Sequence, residues 1–232
     1  LKLRSPQSQA RGQGMPKLAT LFLEQAKEHR DGPVAKMVSQ AQKNFREEKK
    51  MEGRVDKYWK IINKTEDSAE ILIYEDIGKS GWDDSGVGAL AFAGDLKALS
   101  VKGVTKIEVG INSRGGNVFE GLAIYNQLNS FKGVVDTRID GFAGSISSVI
   151  AMAGKTIKMP ANAMMMIHDP STMTWGTAVD MRKQADVLDK VKSSLIAVYR
   201  AKTGLPEEEI AALMNEETWF TAAHAKEKGF CD

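Results

Sequence analysis

The spacing of apolar positions switches between two periods along this chain, and each switch marks an element. The run "AEILIYEDIG" over 69–78 is dense in β-branched and aromatic residues and predicts a strand, and the polar, glycine-rich "KSGWDDSGVG" after it predicts a loop. Then come, in order, a helix in "AGDLKALSVKG", a strand in "TKIEVGIN", a helix in "VFEGLAIYNQLNSF", a strand in "VVDTRIDG" and a helix in "SISSVIAMAG". "KTIKM" and "AMMMIHD" read as two further short strands. The segment "AVDMRKQADVLDKVKSSLIAVYRAK" predicts a long helix with Met181, Ala185, Leu188, Leu195 and Tyr199 on one stripe, ending at Gly204. "PEEEIAALMN" starts another, with Pro206 in its first turn and three acids at the positive end of its dipole. Strands alternating with helices predict an α/β fold on a largely parallel sheet.

The N-terminal part has a different texture. Residues 18–30 and 34–50 favour helix and are split by the breaker "DGP", while residues 1–14 read as disordered or vector-derived, with Met15 a candidate start. Residues 1–64 hold 15 Lys/Arg against 7 Asp/Glu, a net +8, and residues 65–232 hold 17 against 23, a net −6. We therefore divide the chain at 64/65, into a basic, partly helical extension and a main domain. The basic helix faces read either as solvated surface or as a site for an acidic partner; nucleic acid is not the expected ligand.

Composition removes several classes of function. The single cysteine, Cys231, cannot form an internal disulfide and offers no cysteine-rich metal site. The longest apolar runs are too short to span a membrane, and the polar first residues lack the apolar centre of a signal peptide, so a cytoplasmic protein is expected.

In α/β sheets chemistry gathers where strands end, and three such loops carry unusual residues. In "INSRGGNVFEG" the pair Gly115–Gly116 is either a plain tight turn or a place where backbone N–H groups approach an anion or oxyanion. In "GFAGSISSVIAMAG" small residues surround Ser145 at a helix start. That arrangement suits either close packing or a nucleophile, whereas Ser147 and Ser148, inside the helix, suit packing. In "MMMIHDPS" His168 stands at the end of a buried strand, as a satisfied core histidine or as a general base. The other two histidines, His29 and His224, lie in charged helical contexts.

Taken together, "INSRGGNVFEGLAIYNQL", "DGFAGSISSVIAMAG", "MMMIHDP" and "ETWFTAAHAKEKGFCD" resemble the Clp protease proteolytic subunit (ClpP) family in its order and spacing over about residues 69–232, and most closely its bacteriophage-type members. The resemblance implies the ClpP/crotonase-like fold of repeated β-β-α units, with the helix over about 178–202 as the handle through which heptameric rings stack into a double heptamer. It implies Ser145 as nucleophile, His168 as general base and Glu217 as the orienting acid, with Glu216 as the fallback if the register slips by one. Glu217 departs from the aspartate commonest in bacterial members, although either carboxylate can orient an imidazole. Asp169, adjacent to the histidine, is a poor candidate. The oxyanion hole falls on the backbone N–H groups of Gly116 and Ile146. Neither metal nor cofactor is implied.

The phage-type wording and the basic extension lead us to expect a prohead (head maturation) protease that cleaves scaffold and capsid proteins, in the host cytoplasm or inside the assembling prohead. The alternative is a cellular ClpP paralogue degrading proteins delivered by a Clp ATPase. A non-catalytic adaptor is disfavoured by the intact residue set, and an acyl-CoA enzyme of the wider fold by the His168 block. No docking of a Clp ATPase is expected, because the aromatic positions that receive its loops in the family fall here on Glu108, Gly110, Ser130 and Lys158, with Phe131 one residue from register.

Overall fold

The computed structural model describes residues 57–78 and 88–232; the helices expected over 18–50, the first 14 residues and most of the loop after Gly78 lie outside the described residues. The strands are β1 (Trp59–Asn63), β2 (Ser68–Ile73), β3 (Lys106–Ser113), β4 (Val134–Gly144), β5 (Ile157–Lys158), β6 (Met164–Ile167) and β7 (Thr218–Thr221). The helices are α1 (Ala89–Val101), α2 (Val118–Asn129), α3 (Ile146–Ala151), α4 (Ala178–Thr203), α5 (Glu207–Asn215) and α6 (Ala222–Glu227).

All seven strands join one sheet in the order β1-β2-β3-β4-β6-β7, with β5 also beside β4. The central pairs β2/β3, β3/β4, β4/β5 and β4/β6 are parallel, as the alternation of strands and helices predicts, while β1 and β7 close the edges antiparallel. The mixed α/β architecture is thus the expected one. Residues 59–63, on the extension side of the division at 64, are nevertheless a strand of this sheet, and Tyr58 and Trp59 belong to its core.

The strand period of two divides the sheet into two unlike faces. One carries Ile71, Ile73, Ile107, Val109, Ile111 and Ile139, all buried in the core. The other carries a ladder of charge: Arg138 donates to Glu108 at 2.8 Å, to Glu70 at 3.0 Å and to Asp140, and Lys64 and Lys158 donate to Glu108 at 2.8 and 3.3 Å. The ladder fits its setting, because opposite charges on adjacent strands stabilise one another on a half-buried face.

Helix ends follow the local chemistry. Asn117 caps α2 by accepting from the N–H groups of Phe119 and Glu120, and Thr177 forms a capping box with Asp180 at the start of α4. Gly204 ends α4 in the left-handed conformation at φ 72°. The stripe on α4 is buried only at its C-terminal end, by Leu195, Ile196 and Tyr199; Met181 and Ala185 are exposed and Leu188 is half-buried. The stripe therefore faces the core over its last turns alone. Among the described residues no helix is long and apolar enough to cross a membrane.

Candidate active site

Three parallel strands deliver the site from their C-terminal ends. β4 runs to Gly144, and Ser145 turns the chain into α3 with φ 55° and ψ −131°, a region that side chains with a Cβ rarely occupy. Its backbone N–H donates to the Met166 carbonyl of β6 at 2.9 Å, which fixes the turn against the neighbouring strand. A sharp strand-to-helix turn of this kind lifts a hydroxyl clear of the sheet. β6 ends at Ile167, so His168 stands beside that turn, and its Nε2 lies 2.8 Å from Ser145 Oγ. Both side chains are half-buried.

The loop after β3 closes the third side. A Cβ on Gly115 would lie 2.7 Å from both the Gly144 carbonyl and Ser145 Cβ, so only glycine permits this approach. Gly116 forms a parallel bridge with Ile77: Ile77 N–H donates to the Gly115 carbonyl and Asn117 N–H to the Ile77 carbonyl, each at 2.7 Å. In that pattern the N–H of Gly116 itself points away from Ile77. The N–H of Ile146, first residue of α3, has no partner within its helix.

Ser147 and Ser148 are fully buried and committed elsewhere. Ser147 Oγ lies 2.8 Å from the Ser113 carbonyl and 2.7 Å from that of Gly144, and Ser148 Oγ lies 2.6 Å from the Ser145 carbonyl and 2.8 Å from the Tyr199 hydroxyl. They pack and cap. Burial pushes the Tyr199 phenol well above its ordinary pKa, so it remains a neutral partner for Ser148.

The acids divide clearly. In the antiparallel β6/β7 pair the ladder ends where Ile167 faces Thr218, and His168 and Glu217 are the residues next to that last pair. Glu217 also takes a positive φ, 49°, while Glu216 ends α5 with ordinary helical angles. Glu217 Oε1 accepts from the indole N–H of Trp219 at 3.2 Å; among the described residues no carboxylate is hydrogen-bonded to His168. Asp169 is held by Lys192 of α4 at 2.8 Å.

Two features of the site escape a reading of the sequence alone. Trp219 stacks on Phe142 with ring centroids 5.2 Å apart and planes 6° from parallel, and Asp169 is tied to the long helix. The alternation in "TWFT" carries a signal for the first, since it puts Trp219 on the face opposite the buried Phe220, but β7 has to be recognised as a strand before it can be used. Among the described residues no group of three or more His, Cys, Asp and Glu side chains could hold a metal ion.

Comparison with known proteins gives a consistent result. The family model for Clp protease matches residues 53–232. The chain is 40% identical over 125 residues to the ATP-dependent Clp protease proteolytic subunit 3 of Rhodococcus jostii, covering 53% of this chain and 61% of that relative. It is 38% identical over 131 residues to proteolytic subunit 1 of Streptomyces avermitilis, 55% of this chain and 60% of the relative. With proteolytic subunit 2 of Thermobifida fusca it shares 37% over 143 residues, 60% of this chain and 70% of the relative. The chain thus spans about three fifths of the length of the first two relatives.

Proposed function

The chain belongs to the Clp protease family, and on that premise we propose that it is a serine endopeptidase that cleaves polypeptides through Ser145. The 2.8 Å contact between Ser145 Oγ and His168 Nε2 carries the proposal. As Ser145 Oγ attacks the scissile carbonyl, His168 Nε2 takes its proton, and the negative charge on the carbonyl oxygen is met by the N–H groups of Gly116 and Ile146. Losing one such donor typically slows catalysis by about 100- to 1000-fold. His168 then returns the proton to the departing amine, the C–N bond breaks, and an acyl ester remains on Ser145. Water, deprotonated by His168, hydrolyses it. Glu217, which like His168 flanks the last pair of the β6/β7 ladder, is the acid that steadies the imidazolium. The reaction needs no metal or redox group, and rings of this chain are the working assembly.

Two roles fit this chemistry. The relatives' names contain the words "ATP-dependent", which favours a proteolytic subunit fed by an ATPase. A groove of about 740 Å³ between α1 and α2, lined by Leu96, Val101 and Phe131, offers apolar side chains for such a partner. The second reading, a prohead protease, draws on the phage-type wording of the four blocks and on the charge ladder. Glu108 and Lys158, at positions where the family presents aromatics, are paired to each other, and Glu108 also accepts from Arg138. An apolar loop docking there would have to displace those pairs.

Mixing the full chain with a Clp ATPase, ATP and a tagged folded substrate separates the two. ATP-dependent degradation that is lost when the ATPase's docking loop is mutated supports the first. Cleavage of capsid and scaffold proteins at mapped sites, with no effect of the ATPase, supports the second. Failure to hydrolyse any peptide or protein would overturn the endopeptidase reading itself.

A further inference from the structure

We propose that Trp219, clamped by Phe142, is a positioning residue that holds the Glu217 carboxylate for His168; the inference rests on the reading of Glu217 as the site's acid. Four observations meet at this point. The β6/β7 ladder ends at Ile167 and Thr218, so His168 and Glu217 flank the same last pair. Glu217 is held at φ 49°, and the only other non-glycine residue with positive φ among those described is Ser145. Trp219 Nε1 donates to Glu217 Oε1 at 3.2 Å. The indole lies flat against Phe142 of β4, a strand that pairs directly with β6.

These contacts answer a problem that glutamate brings. Its side chain has one more rotatable bond than that of aspartate, so a glutamate at the edge of a sheet samples more positions and must lose more entropy to hold one. A left-handed backbone sets the direction in which the chain leaves, and the indole N–H then fixes one carboxylate oxygen. The other oxygen is left for the ring N–H of His168. A tryptophan that is 51% exposed would itself be mobile, and the parallel stack on Phe142 supplies the restraint. The alternation of strand residues puts Phe142 and Trp219 on one face of the sheet, beside the turn that carries Glu217. The role is one of orientation, because the indole is two residues along β7 from the carboxylate it holds and gives its proton to no reacting atom.

The test uses the full chain and a small fluorogenic peptide, measuring kcat and KM for Trp219→Phe, Glu217→Gln and the double variant. Trp219→Phe keeps an aromatic ring for the stack and removes only the donor. We expect its kcat to fall about tenfold, as for a lost hydrogen bond to a charged group, with KM changed by less than about twofold. The double variant should be no slower than Glu217→Gln alone, because the indole acts only through the carboxylate. Phe142→Tyr should retain activity and Phe142→Leu should lower kcat in the same direction as Trp219→Phe. Additive losses in the double variant would show a general packing role and overturn the proposal. So would a rise in kcat for Trp219→Phe, which would mean that the indole withholds the carboxylate. If Glu217→Gln is slow while Trp219→Phe matches the parent, only this inference fails; if Glu217→Gln matches the parent, the reading of Glu217 as the acid fails with it.

Discussion

Three serines lie within four residues at the start of α3, and burial and hydrogen bonding tell them apart. Ser145 is half-buried at a strained turn with its hydroxyl against an imidazole, whereas Ser147 and Ser148 are buried with backbone carbonyls as partners. Strain at such a turn is tolerated where the surroundings over-determine it, and here Gly115 and the Met166 carbonyl do so. The two interior serines should therefore matter to stability and not to chemistry. Ser148→Ala leaves the buried Tyr199 hydroxyl without its partner and should cost about 1–3 kcal/mol in unfolding free energy, read by denaturant titration, while peptide hydrolysis persists. Ser147→Ala should cost about 1 kcal/mol and likewise keep activity. Loss of hydrolysis in either folded variant would move part of the chemistry off Ser145.

Among the elements, those with a strong period were legible and those defined by their partners were not. "TKIEVGIN" and "VFEGLAIYNQLNSF" read correctly because apolar spacing and a capping asparagine agree with burial. β7 is four residues, "TWFT", between two helices, and only pairing with β6 makes it a strand. β1 begins in a basic stretch whose charge drew the domain division past it. The long stripe on α4 was legible as a helix, but a sequence does not say how much of a helix face its own chain will cover. The charge ladder on the open sheet face is likewise a property of pairing, since its members lie on five different strands or their flanks. It makes a prediction for pH. Lys64 above all, with Lys158 and Arg138, holds the Glu108 carboxyl down to about 2 from its ordinary 4.5, against the opposing effect of burial. A depressed carboxyl stabilises the fold above its unfolded pKa and loses that contribution as pH falls through the folded value. Glu108→Gln should thus be less stable than the parent at pH 7, by about 1 kcal/mol, the half-buried carboxylate losing three cationic partners. The difference should close between pH 4.5 and about 2 in paired thermal melts. A gap that persists unchanged to the lower limit would show that the ladder contributes through packing and not through charge.

At the scale of the molecule, the parallel strands bring residues 115, 145 and 168 to one end of the sheet, and the antiparallel edge strand adds residue 217. Four blocks far apart in the sequence thus come to neighbouring strand ends. Much of the apolar surface that this unit leaves uncovered is on α4 and the segment before it, where Met173 is 88% and Trp175 76% exposed and Val179, Met181 and Val187 are open as well. A surface of that kind suits contacts between subunits in the proposed rings. The proposed chemistry, however, begins with Ser145 as a nucleophile activated by His168. The direct measurement is to treat the full chain with a serine-directed phosphonate and locate the adduct by peptide mass spectrometry, alongside Ser145→Ala and His168→Ala. We predict a single adduct on Ser145, abolished in Ser145→Ala and formed far more slowly in His168→Ala. An adduct on Ser147 or Ser148, or labelling of Ser145→Ala at the parent rate, would contradict the account.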